Sequence, residues 1–146
     1  MELDQLYKRL NRPHAERLSF LEKYNSLVLQ RDDLYLEQIT LLNQLGRYEE
    51  AKEMLDKHKF HPWEGGEGKV SAQYQIARVE LAKQALKSND SHKAIALLKE
   101  CLEYPHHLGE GKLYGAQEND FHYYLGCAYE ALGDNEKAVY YWELAK

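Results

Sequence analysis

The sequence predicts an all-α fold, a solenoid of helical hairpins with a 43–44 residue period, and three observations carry that reading. The first is the stretch DFHYYLGCAYEALGDNEKAVYYWELAK, residues 120–146. Its Leu125, Gly126, Tyr129, Ala138, Trp142 and Ala145 have the spacing of two antiparallel helices. Small residues (Gly126, Ala138) let the helices approach, and large ones (Tyr129, Trp142) fill the space beside the contact. The second is that the markers return upstream: Ala51 and Ala94 are 43 residues apart, Ala94 and Ala138 are 44, and Pro62 and Pro105 are 43. The third is that the turns GRYEEA, NDSHKA and GDNEKA fall in one register.

Taken in order, residues 2–10 put Leu3, Leu6, Tyr7 and Leu10 on one helical face. Asn11-Arg12-Pro13 breaks that helix and opens a second, since proline is tolerated in a first turn. The second carries Leu18, Leu21 and Tyr24 inward and fades near Asn25-Ser26, so that residues 1–30 read as a capping helix pair. Three hairpin units follow, over 31–70, 71–115 and 116–146. In the first, Asp32 or Asp33 is placed to cap a helix that Gly46 ends. In the last, Asn119 or Asp120 is placed to cap, Gly133 supplies a left-handed helix end and Asp134 the next cap. Helices are expected near 32–45, 48–58, 72–87, 91–103, 120–132 and 134–145, eight in all with the capping pair. Residues 62–70 and 106–118 are expected to be ordered loops, anchored by Trp63, Leu108, Leu113 and Tyr114.

The spacing L-G-x2-Y-x8-A-x3-W-x2-A resembles the tetratricopeptide (TPR) repeat, with His122 in the slot of its initial Trp and Trp142 in that of its Phe. A TPR unit is 34 residues, so each unit here carries about nine or ten more. The excess lies in a loop that is itself repeated as Gly-Glu-Gly-Lys, at Gly66–Lys69 and Gly109–Lys112. The strings NRPHAERLSFLE, QRDDLYLE, QLGRYEEA, FHPWEGGEGKV and YPHHLGEGKLYGAQEND, followed by YLGCAYEALGD, resemble a narrower bacterial family. In it, TPR-like repeats with such loops follow a galactose-mutarotase-like β-sandwich domain of unknown function. The resemblance covers most of the chain and implies an excised arm of a larger bacterial protein. It implies no catalytic residue for the arm.

Composition narrows the function classes. A net charge of −5 and a pI near 5.8 argue against nucleic acid as partner. No apolar run approaches a membrane span, and no signal segment opens the chain, so a cytoplasmic protein is expected. Cys101 and Cys127 both fall inside helices and read as two buried thiols, with a structural disulfide as the alternative. The loops lack a phosphate cradle: Trp63 and His106 stand where its first glycine belongs, and Val70 and Leu113 where its Ser or Thr does. Their glycines instead allow positive φ in a compact crossing loop whose Glu and Lys pair locally. His58, His61, His106 and His107 lie near helix ends without carboxylate or cysteine companions at ligand spacing, so no metal and no cofactor is expected. Dipole interaction at helix C-termini accounts for them.

The resemblance implies partner binding along the first helix of each hairpin. The positions so marked are Leu36, Glu37, Thr40, Asn43 and Gln44, then Val79, Lys83 and Lys87, then Tyr123, Tyr124, Cys127 and Glu130. The binding-groove candidates among them are Glu37, Thr40, Asn43, Val79, Lys83, Tyr123, Tyr124 and Glu130. Leu36 and Thr40 stand where chaperone-type TPRs place the Lys and Asn of a carboxylate clamp, so a C-terminal carboxylate is rejected as the ligand. The expectation is a non-catalytic scaffold that binds a protein or peptide partner, or its own parent's domain. The alternative is an accessory part of a carbohydrate-active enzyme that lends groove residues to a sugar. That alternative needs two carboxylates facing each other, and Glu37, Glu118, Asp120 and Glu130 are the candidates. The apolar Val139, Tyr140, Trp142 and Leu144 of the last helix suggest self-association through residues 134–146.

Overall fold

Residues 13–28, 30–62 and 66–146 are described by the computed structural model. The expected helix over 2–10 and the loop anchor Trp63 lie outside the described residues. Eight α-helices are present among those described: α1 (His14–Lys23), α2 (Asn25–Val28), α3 (Asp32–Gln44), α4 (Tyr48–Lys57), α5 (Lys69–Lys87), α6 (Ser91–Cys101), α7 (Asn119–Ala131) and α8 (Asn135–Leu144). A single 3-10 turn, His106–Leu108, lies between α6 and α7. The eight include the four-residue α2, which the sequence reading had merged into the end of α1.

Helices α3 and α4, α5 and α6, and α7 and α8 form three successive hairpins. The first helices touch one another in a row, α3 on α5 and α5 on α7, and each second helix packs on the first helix of the next hairpin. This is an all-α, TPR-like solenoid.

The three turns share one device. Gly46, Asn89 and Gly133 take φ of +79°, +60° and +82°, and asparagine is among the few side chains that tolerate that region. The next residue's N–H then closes the helix end: Arg47 to Leu42 O at 2.8 Å, Asp90 to Ala85 O at 2.8 Å and Asp134 to Tyr129 O at 2.9 Å. Asp90 and Asp134 go on to cap the second helix, accepting from Lys93 N at 3.2 Å and Lys137 N at 3.1 Å. Arg47 has no capping oxygen and pairs with Glu50 at 2.6 Å instead.

Two helix starts differ from expectation. Arg31 precedes α3, so neither Asp32 nor Asp33 is its cap, and Asp32 reaches across the hairpin to His58 Nε2 and to the His61 N–H, both at 2.7 Å. Asn119 and Asp120 are the first residues of α7, not its cap; Glu118 precedes them and gives its carboxylate to the Tyr104 hydroxyl and Lys112 Nζ.

The core falls into two apolar clusters that meet on α5, with Ala77 in one and Leu81 in the other. Arg78 stands at that seam, 3% exposed. Its guanidinium lies 3.6 Å over the Tyr74 ring and bridges Asp56 of α4 (2.6 Å) and Glu100 of α6 (2.7 Å). One side chain thus ties adjacent hairpins together. By repeat register its counterparts are Tyr35, which donates to Met54 O at 2.7 Å and stacks on His58, and His122, which stacks on Tyr141.

Small residues do permit close packing, with one change of partner. A Cβ added at Gly126 would overlap the Trp142 indole, so the glycine makes room for the tryptophan and not for Ala138. Ala138 is buried with Leu125, Ala128 and Tyr129.

Candidate partner-binding surface and loop clasp

The row α3–α5–α7 brings the candidate positions into register: Leu36, Val79 and Tyr123 in one line, and Thr40, Lys83 and Cys127 in the next. Their states differ along the row. On α3, Glu37 is engaged by Arg17 of α1, and the Thr40 hydroxyl turns back to Leu36 O at 2.8 Å. Asn43 is buried, with Nδ2 donating to Gln73 O (3.2 Å) and Oε1 (2.9 Å) of α5. Glu37 and Asn43 are thus committed to neighbouring helices, and Thr40 to the backbone of its own.

On α5 and α7 the surface opens. Lys83 Nζ pairs with Glu80 at 3.1 Å and sits 5.2 Å over the Tyr124 ring. The hydrogen bond that Lys83 donates to the Glu80 carboxylate is the main influence holding the Lys83 ammonium above its ordinary pKa, so the cation persists. Tyr123, 51% exposed, meets Tyr124 edge to face at 5.2 Å. Val79 is half-buried, and Glu130 is exposed toward the end of α7. The sequence reading omitted Ile76, exposed one helical turn before Glu80, and Glu80 itself. An isoleucine standing off the core period of α5 was the available signal.

The carboxylates of the enzymatic alternative stand in different settings. Glu37 is bound to Arg17, Glu118 to Tyr104 and Lys112, and Asp120 and Glu130 are exposed on α7.

The two Gly-Glu-Gly-Lys loops repeat in sequence but not in conformation. Gly68 has φ +81° and immediately precedes α5, which therefore begins at Lys69, three residues before the expected start. The second copy runs on as loop through Gly115, also at positive φ, before α7 begins. The loops clasp each other. Phe60 N donates to His107 O at 2.8 Å, and the His107 ring lies 3.1 Å from Leu55 O. Gly109 (φ +76°) packs so closely on Phe60 O that a Cβ there would clash. Glu110 accepts from Gly68 N (2.9 Å) and Ser71 N (2.7 Å), so the second loop caps the helix that follows the first. Local Glu–Lys pairing is not what the loop uses: Lys112 pairs with Glu118.

The histidines are held by similar contacts. His58 stacks on Tyr35 at 4.0 Å and binds Asp32. Burial opposes ionisation of Asp32, but the bonds from His58 and the His61 amide outweigh it and hold the carboxyl below its ordinary value. Both cysteines are free, and burial pushes the Cys101 thiol up to about 12. On the outer side of α8, Val139, Tyr140 and Leu144 are exposed.

Residues 120–145 match the tetratricopeptide repeat family model. The match covers the last hairpin, and together with the hairpin geometry it supports a TPR-type protein; TPR repeats generally mediate protein–protein interaction. No solved structure matches the chain. Among the described residues no helix is long and apolar enough to cross a membrane.

Proposed function

We propose that this chain is a non-catalytic scaffold that binds a protein or peptide partner along its first-helix row, chiefly over α5 and α7. The observation that supports it is the set of exposed or half-buried Ile76, Val79, Tyr123 and Tyr124 on the adjoining first helices α5 and α7, with the Lys83–Glu80 pair against the Tyr124 ring. Aromatic side chains of this kind bury large areas at interfaces while losing little conformational freedom, and the ion pair adds orientation at the rim. The α3 end contributes less in this reading, since Glu37 and Asn43 are spoken for by internal contacts. A larger bacterial parent with a mutarotase-like domain is the setting the sequence resemblance suggests, and that domain is then itself a candidate partner. A cytoplasmic location is the separate expectation from the sequence's lack of a signal segment or membrane span.

Affinity capture from a lysate of the source cells tests the reading, comparing the chain with its Tyr123→Ala/Lys83→Glu variant. A partner retained by the first and lost by the second supports it; equal retention contradicts it. The exposed Val139, Tyr140 and Leu144 favour a second contact, self-association through residues 134–146. Light scattering at micromolar concentration checks this, and a strict monomer rejects it.

A further inference from the structure

A cleft of about 250 Å³ lies between the start of α5 and the loop that leads into α7, at the end of α5 that precedes the first-helix patch. Its eleven lining residues carry no charge, in a chain of which 29% is Asp, Glu, Lys or Arg. The loop's own charges are spent elsewhere, Glu110 on the α5 backbone and Lys112 on Glu118. What faces the cleft is polar but neutral: Ser71 and Gln75 from α5, Tyr104, and Gln117 from the loop. Ser71 is only 7% exposed, and its hydroxyl has no hydrogen-bond partner among the described residues. A buried donor left unpaired costs about 1–3 kcal/mol, which marks the position as one prepared for something else.

The loop adds a second, independent feature. Among the described residues, the backbone N–H groups of the six successive residues 110–115 donate to no carbonyl or side chain. Leu113 and Tyr114 stand exposed at the rim, Tyr114 fully so. Unpaired backbone donors in sequence, beside uncharged side-chain groups and an exposed aromatic ring, have the complementarity of a polypeptide main chain. A sugar's hydroxyl oxygens also accept from such donors, and a disaccharide probe separates the two ligands.

We propose that this cleft is a second binding site, which takes an uncharged extended peptide segment. The segment's carbonyls accept from free N–H groups of the loop residues that line the cleft, Gly111 and 113–115, one of its polar atoms reaches the Ser71 hydroxyl, and Tyr114 closes over it. The site shares α5 with the first-helix patch but none of its residues, so it is tested independently of that patch.

Amide NMR titration of the chain tests the proposal, with three probes: a capped uncharged Ser/Gln/Asn/Thr peptide, a capped peptide of the same length rich in Glu and Lys, and a neutral disaccharide. The expected result is that the uncharged peptide alone shifts residues 110–117 and Ser71. Ser71→Ala and, separately, Tyr114→Ala should each weaken that binding by about tenfold. Tyr114 is fully exposed, so its variant keeps the fold, and Tyr123→Ala should leave the titration unchanged. Absence of shifts at 110–117, equal shifts with the disaccharide or the charged peptide, or titrations indifferent to both variants would each overturn it.

Discussion

Replacing Glu110 by Ala tests how the loops hold the repeat together. Helix α5 begins at a glycine with no side chain to cap it, so its first free N–H groups depend on a carboxylate some forty residues away in sequence. Two short bonds to an ionised acceptor are lost in Glu110→Ala. Loss of a helix cap costs about 0.5–2 kcal/mol. The negative charge beside the helix N-terminus adds about 0.3–1 kcal/mol, and partial solvent exposure keeps the sum near the middle of its range. The expected destabilisation is about 2 kcal/mol. Glu110→Gln retains an acceptor without the charge and should lose about half of that. Urea denaturation followed by circular dichroism reads the change, and hydrogen exchange at Gly68 to Ser71 localises it. Glu67, its counterpart in the first loop, is exposed, and Glu67→Ala should stay within about 0.5 kcal/mol of the parent. If Glu110→Ala and Glu67→Ala melt together, the loops are spectators and the clasp reasoning fails.

Three further outcomes are expected. Ala138→Leu should cost about 1–3 kcal/mol by overpacking, because Ala138 is buried against Leu125, Ala128 and Tyr129; an unchanged thermal melt would show the hairpin register to be wrong. Arg78→Ala should cost about 2–4 kcal/mol, since it strips the Tyr74 ring of its cover and leaves Asp56 and Glu100 without their shared cation; their partial exposure keeps the loss below that of a fully buried pair. Asp32 has a folded pKa below its ordinary 3.8, so its contribution is present above that value and is lost as pH falls through the folded one. Asp32→Asn should therefore lower stability near neutral pH, with the difference shrinking below pH 3.8, and parallel acid limbs for the two proteins would contradict it.

The solenoid was legible because its markers are backbone requirements. A left-handed turn residue, a capping aspartate and a small residue at a helix contact each leave a specific letter, and Asn89 shows that the register survives when the letter changes. The end of α5 and both ends of α7 fall within one residue of expectation. The start of α5, three residues before the expected one, was not legible, since it depends on Glu110 arriving from the neighbouring unit. Nor was the role of Arg78: a lone arginine in a helix reads as surface until the chain brings two carboxylates and a ring to it. On the candidate surface, sequence spacing placed the residues in rows. It did not show that Asn43 turns inward to Gln73, or that Ile76 turns out.

A site-specific photocrosslinker tests the central proposal most directly, placed in living source cells at Tyr123 on the first-helix row or at Glu53 on the exposed side of α4. The account predicts one or a few discrete protein adducts at position 123 and none of them at 53. The same adducts at both positions, or adducts at 53 alone, would contradict it.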